Sequence, residues 1–145
     1  MAICTRYLGK GPDSEDALME GFMKVFSKID QFIIGNSFEG WIRKIMINES
    51  LIKIRKKAGL YTQNLEEAYE LSIPEDAVMQ LNVLDLHDVI VRMPLGYRTV
   101  FNLYAIEGYT HQEVAEKLQI SEGTSKSQLS RARSYIQEKL KELHV

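Results

Sequence analysis

The chain has 145 residues, with 18 basic against 20 acidic side chains for a net charge of −2, and a single cysteine, Cys4. That length admits one domain or two small ones; the charge balance excludes a protein basic enough to coat DNA throughout, and one cysteine excludes an intrachain disulfide. No apolar run approaches the ~20 residues that cross a bilayer, no signal peptide is evident, and no phosphate loop, paired-cysteine motif or metal-spaced histidine pair occurs, so a cytoplasmic protein without enzymatic centre, metal or cofactor is expected.

In chain order, Gly9, Gly11 and Pro12 predict a turn, and Asp13 or Ser14 then caps a helix. Leu18, Phe22, Val25, Phe26 and Ile29 recur on one face of that helix over 13–29, and Glu20 and Lys24 are spaced for an intrahelical pair. Gly35-Asn36-Ser37 breaks it. A longer helix follows over about 38–57, apolar over a wide arc through Trp41, Ile42, Ile45, Met46, Ile52 and Ile54, with Trp41 read as core. Its basic residues Arg43, Lys44, Lys53, Arg55, Lys56 and Lys57 stand against Glu49 alone, whereas 61–91 carries no Lys or Arg. A cationic surface for nucleic acid followed by an acidic tether is one reading of that contrast; solvated helix faces are the other. Residues 58–73 lose helical period and read as a linker. A helix starts near Pro74, and Val78, Leu81, Leu84 and Val91 are placed to face a helix over 95–106, which carries Val100, Phe101 and Tyr104. Pro94 separates these two helices and Gly108 stops the second. No strand pattern competes, so the fold class is all-α: two small helical domains, 1–57 and 74–145, joined by a linker.

The densest local signal lies over 109–133. Thr110-x-x-Glu113 forms a capping box, and Val114, Ala115 and Leu118 share the inner side of the helix it opens. Gln119 sits where a left-handed turn is easiest with Gly, at a cost of roughly 1–2 kcal/mol for a residue with a Cβ. Ile120 plugs the turn and Ser121 caps the next helix, whose Leu129, Ala132, Ile136 and Leu140 repeat at buried spacing. Lys126, Ser127, Gln128, Ser130 and Arg131, with Ser134 further along, are assigned to the outer face. Hydroxyls and cations in the first turns of such a helix suit a major groove, so the pair reads as a helix-turn-helix; a small bundle with a merely solvated polar face fits the same pattern. His111 opens the first helix of the pair, and with His87 and His144 it reads as a surface or capping residue rather than a ligand.

Residues 94–141, from Pro94-Leu95-Gly96-Tyr97-Arg98 through Ser121-Glu122-Gly123-Thr124, resemble region 4 of bacterial sigma factors, closest to the extracytoplasmic-function group of the sigma-70 family. Asp13-Ser14-Glu15-Asp16-Ala17-Leu18 and its continuation to Phe26 resemble the opening of that family's region 2, and Ser37-Phe38-Glu39-Gly40-Trp41-Ile42-Arg43-Lys44 and onward to Asn48 its later part. The resemblance implies a factor that lends core RNA polymerase promoter specificity. Asp16, Glu20 and Phe22 would meet the β′ clamp helices, with Phe22 as plain core the competing assignment. Asn36, Ser37 and Phe38 would lie near the flipped base of the −10 element. Arg43, Lys44, Asn48, Lys53, Arg55, Lys56 and Lys57 would contact the −10 region and its phosphates, which position without specifying. Thr124, Lys126, Ser127, Gln128, Ser130, Arg131 and Arg133 would serve the −35 element. The β flap, promoter DNA and an anti-sigma factor are the further partners implied.

Relative to the family's pattern the resemblance begins late, so the first domain is expected to lack a packing partner and to expose Leu18, Phe22, Phe26 and Trp41. Gly21 stands inside a helix at about 1 kcal/mol relative to Ala. Ser125 and Gln128 replace the Val and Arg common in the family's recognition helix. A stand-alone regulator with a response-regulator-type helix-turn-helix would satisfy 94–141 alone; the match at 13–57 is what it would lack. A truncated sigma-like protein acting only through an interaction partner is the third reading.

Overall fold

The computed structural model describes residues 2–61 and 86–143. Among these, every regular element is helical, and the chain divides into two compact units, Met1–Lys57 and Ala58–Val145. The linker reading over 62–73, the helix start at Pro74 with Val78, Leu81 and Leu84, and His144 lie outside the described residues.

The first unit comprises α1 (Ala2–Leu8), α2 (Pro12–Ser27), a 3-10 turn (Ile29–Gln31) and α3 (Phe38–Tyr61). Gly9 and Gly11 adopt φ of 80° and 152°, turning the chain so that α2 packs on α1. Pro12 fills the first position of α2, where its missing N–H costs nothing. The cap is therefore Gly11, not Asp13 or Ser14; Ser14 lies inside the first turn and donates its hydroxyl back to the Gly11 carbonyl at 2.8 Å. α3 continues to Tyr61, four residues past the boundary read from the basic cluster.

Cys4, Ala17 and Met46 form the centre of a core cluster, with Ile3, Leu8, Leu18 and Ile42 packed against it. On α3, Ile47, Leu51 and Ile54 are buried as well, while Ile45 and Ile52 are only half-buried. Gly21 is also explained: a Cβ there would lie 2.4 Å from the Met46 sulfur, so the missing side chain lets α3 approach. The buried side of α2 is thus its small residues Ser14, Ala17 and Gly21 with Val25, rather than the stripe of large apolar ones.

The second unit holds α4 (Leu86–Arg92), α5 (Leu95–Phe101) continuing into a π-helical turn (Asn102–Ile106), α6 (His111–Leu118) and α7 (Glu122–Leu143). α7 packs on α4, α5 and α6. Val89, Ile90, Met93, Val100, Leu103, Val114, Leu118, Leu129 and Ala132 make the core. Leu140 does not join them; it is 40% exposed near the end of α7. Arg98 on α5 is buried and donates to the Val91 carbonyl in the last turn of α4, where a cation complements the helix dipole. Burial lowers its guanidinium to about 10, so it stays protonated at neutral pH.

Candidate nucleic-acid and polymerase interfaces

The turn of the helix-turn-helix is built from local capping. Thr110 accepts the Glu113 N–H at 3.2 Å, and the Glu113 carboxylate accepts the Thr110 N–H at 2.8 Å. The backbone N–H of Thr110, followed by its hydroxyl, holds that carboxyl below the ordinary carboxylate range. Gln119 takes φ 58°, ψ 43°, the left-handed corner expected for Gly, and Ile120 N–H closes back to the Ala115 carbonyl at 3.1 Å. Ser121 then caps α7, accepting the Thr124 N–H at 3.0 Å; its hydroxyl is 2.9 Å from that of Thr124.

On α7 the structure brings Lys126, Ser127, Ser130, Arg131, Arg133 and Ser134 to the exposed surface. Thr124 is half-buried and tied into the cap. Gln128 is a correction: it is 5% exposed, between the buried Ser125 and Leu129, and its Oε1 accepts no hydrogen bond. Helical periodicity places it there: 125, 128, 129 and 132 share the inner face. It does not present its amide to a base.

Sequence reasoning also missed what Ser125 does. Its hydroxyl lies 2.9 Å from His111 Nδ1, tying the start of α6 to α7, and the His111 ring stacks on Tyr104 at 4.3 Å between centroids. His111 opens α6 as read, but its ring is engaged rather than simply solvated. Burial pushes its imidazole below the ordinary 6.5; Lys126 and Arg133 act the same way and Glu122 opposes them. The signal was available in hindsight, because a buried Ser in an inner-face register needs a polar partner.

In the first unit the acidic face of α2 and the basic end of α3 turn toward each other. Lys57 pairs with Asp13 at 3.1 Å, and Lys53 lies 3.4 Å from Asp16 and 3.2 Å from Glu20. Lys24 reaches the buried Glu49 across the helices rather than Glu20 along its own. Lys53 and Lys57 are therefore engaged in ion pairs, not presented as bare phosphate contacts. Arg43 pairs with Glu39 at 4.0 Å, and Arg55 donates its Nε to the Leu51 carbonyl. Lys44, Asn48 and Lys56 are exposed.

The other side of α2 is apolar and open. Met19, Phe22, Met23 and Phe26 are exposed, Phe26 at 75%, whereas Leu18 and Trp41 are half-buried. Phe22 is thus not core. Between the 3-10 turn and α3, Phe32, Phe38 and Trp41 pack ring against ring, with centroids 5.2, 5.5 and 5.9 Å apart. Gln31, Phe32, Ile33, Asn36, Ser37, Gly40, Trp41 and Lys44 surround a cavity of about 380 Å³ there. Of the residues assigned to the −10 base, Asn36 and Ser37 line this cavity and Phe38 does not; Phe32, not assigned to it, and Trp41, read as core, complete the wall.

Comparison with known proteins agrees with both halves. Sigma-70 region 2 matches residues 1–59, and Sigma-70, region 4 matches residues 84–136. The ECF RNA polymerase sigma factor SigW of Bacillus subtilis (strain 168) is 31% identical over 154 residues, covering 97% of this chain and 82% of that protein. SigE of Mycolicibacterium smegmatis is 28% identical, covering 93% of this chain but 54% of its own length. Among solved structures, the sigma factor RpoE of Bartonella quintana, crystallised with the anti-sigma factor NepR, superposes with a TM-score of 0.57 at 24% identity over 97% of this chain and 88% of that one, a likeness of fold.

Proposed function

Because the chain belongs to the extracytoplasmic-function group of RNA polymerase sigma factors, we propose that its two units divide promoter recognition between them. The chain directs core RNA polymerase to promoters. The first unit docks on the core enzyme, at the β′ clamp helices, through Asp16, Glu20 and Phe22, with Met19, Met23 and Phe26 extending the apolar part of the contact. The cavity walled by Phe32 and Trp41 and edged by Asn36 and Ser37, with the Phe38 ring packed against both aromatics, receives the flipped base of the −10 element. Aromatic faces there offset the loss of stacking, at about 1–3 kcal/mol per base. Arg43, Lys44, Asn48, Arg55 and Lys56 hold the adjoining phosphates.

The second unit serves the −35 element. Lys126, Ser127, Ser130 and Arg131 meet base edges from the first turns of α7, Thr124 and Arg133 lie toward the backbone, and the β flap is its docking point on polymerase. An anti-sigma factor is an expected partner, as in the complex of RpoE with the anti-sigma factor NepR.

The observation that carries this reading is the exposed row Met19–Phe22–Met23–Phe26, a surface with large apolar side chains that water alone leaves costly. Phe22→Ser with Phe26→Ser, and separately charge reversal at Asp16 and Glu20, are each expected to weaken co-purification with core polymerase. Deleting residues 94–145 is expected to leave measurable binding. Loss on that deletion, with no effect of the α2 substitutions, would overturn the docking surface.

A further inference from the structure

Among the described residues, sulfur is placed in two contrasting ways. Cys4, Met46 and Met93 are buried, at 1%, 4% and 2% exposure, whereas Met19 and Met23 stand open on α2 at 65% and 69%. Large apolar side chains ordinarily go inside, and a pair at i and i+4 on one open helix face departs from that rule twice over. The two methionines alternate with Phe22 and Phe26, so Met19, Phe22, Met23 and Phe26 follow one another at helical spacing along the open face. Thioethers suit a contact surface, because the unbranched side chain adapts to what it meets. They also bring a chemistry that Leu, of similar bulk, lacks. The single cysteine does not compete for it: Cys4 lies in the core, and burial pushes its thiol up, so little of the reactive thiolate forms at neutral pH.

We propose that Met19 and Met23 form a reversible oxidation site on the polymerase-docking face of α2, with a peroxide as the oxidant. The proposal rests on the reading of that face as the contact with core polymerase. In the step, a lone pair of the thioether sulfur attacks one oxygen of hydrogen peroxide. The S–O bond forms as the O–O bond breaks, and the departing hydroxide takes the proton from the transferred oxygen and leaves as water. Sulfur loses two electrons and the peroxide gains them. Reduction by two thiols reverses the change: the sulfoxide oxygen leaves as water and the thiols become a disulfide. The sulfoxide is polar where the thioether is apolar, so docking has to strip water from an oxygen that an apolar contact leaves unpartnered. Asp16 and Glu20 on the same helix supply no partner, because ionised carboxylates only accept hydrogen bonds, as a sulfoxide does. The core is spared, since the sulfur of Met46 is sealed against Gly21. Docking covers the open face, so oxidation acts on the free chain and delays its recruitment rather than dismantling a holoenzyme already formed.

The test uses the full chain and untreated core RNA polymerase. The chain is treated with hydrogen peroxide, the excess is destroyed with catalase, oxidation is assigned by peptide mass spectrometry, and affinity is measured on immobilised core. Met19 and Met23 are expected to oxidise before Met46 and Met93, and affinity to fall about tenfold, as for burial of an unpartnered polar group. The two methionine sulfoxide reductases, one for each sulfoxide epimer, are expected to restore it with a dithiol donor. Met19→Leu with Met23→Leu is its own reference: whatever its starting affinity, peroxide is expected to leave that affinity where it was. An equal loss in this variant would overturn the oxidation site. So would resistance of Met19 and Met23 to peroxide that oxidises free methionine, or full affinity of a chain carrying both sulfoxides. Peroxide treatment of preformed holoenzyme tests the docking face separately, and core is expected to shield both methionines. Shielding combined with full affinity of the oxidised chain would leave the docking face standing and remove only the oxidation site. Oxidation as fast as in the free chain would remove the docking reading, and the oxidation site with it.

Discussion

Gln128 carries opposite meanings in one and three dimensions. As a letter in a recognition helix it is a side chain able to read adenine; in the fold it is an amide sealed inside with its oxygen unpaired. An orphaned buried acceptor costs about 1–3 kcal/mol. Gln128→Met keeps the volume and removes the acceptor, and is expected to raise the melting temperature while leaving the ratio of cognate to scrambled DNA binding unchanged. A loss of discrimination would restore Gln128 as a reader. His111 gives the pH counterpart. Burial favours the neutral ring, so its folded pKa is depressed below the ordinary 6.5. A depressed histidine favours folding above its unfolded pKa, and that contribution drains away as pH falls below about 6.5. Thermal melts between pH 7.5 and 5.5 should show the decline, and His111→Gln, which keeps a hydrogen-bonding partner for Ser125, should flatten it.

Between elements, α2 and α3 are held by complementary shape and charge. The Gly21–Met46 contact is the shape part. Gly21→Ala gains helix propensity of about 1 kcal/mol but forces a methyl group into a buried Met46, and overpacking of that kind costs typically 1–3 kcal/mol. A net loss of stability is therefore expected in denaturant titrations; Met46→Ala costs about 2–5 kcal/mol by itself, and in its background Gly21→Ala is expected to cost nothing further, whereas simple additivity of the two changes would refute direct contact. The charge part, Asp13–Lys57 and Asp16/Glu20–Lys53, is exposed enough to contribute little stability pair by pair. Its consequence is local: it cancels the basic end of α3 with acids from α2.

For the whole molecule, a net charge of −2 means that DNA binding depends on where cations are placed rather than on their sum. The exposed face of α7 is one such place, with Lys126, Arg131 and Arg133. Arg133→Ala is expected to weaken binding to cognate and scrambled duplexes alike and to reduce the slope of log affinity against log salt by about 1. Arg131→Ala, if it reads a base, should cost about 1–3 kcal/mol on the cognate site and less elsewhere. Filter binding of the reconstituted holoenzyme at two salt concentrations separates the pair, and an identical pattern for both would remove Arg131 from base recognition.

What the sequence determined by itself is the part written in short-range chemistry. The Thr110–Glu113 box, the Ser121 cap and the left-handed corner at Gln119 each involve residues at most five apart, so backbone geometry settles them wherever the helices go. The family match belongs here too, since order and spacing along the chain carry it. Tertiary structure decided what each helix does with its two sides. The stripe Leu18–Phe22–Val25–Phe26 has the period of a core, yet small residues on the neighbouring face allow the closer approach to α3, and Phe22 and Phe26 are left outside. Lys53 and Lys57 look like a phosphate clamp until α2 brings carboxylates within 3.4 Å or less of them. Periodicity gives the angle between residues on one helix; which face turns inward is fixed only by the volume and charge of the helix that packs against it.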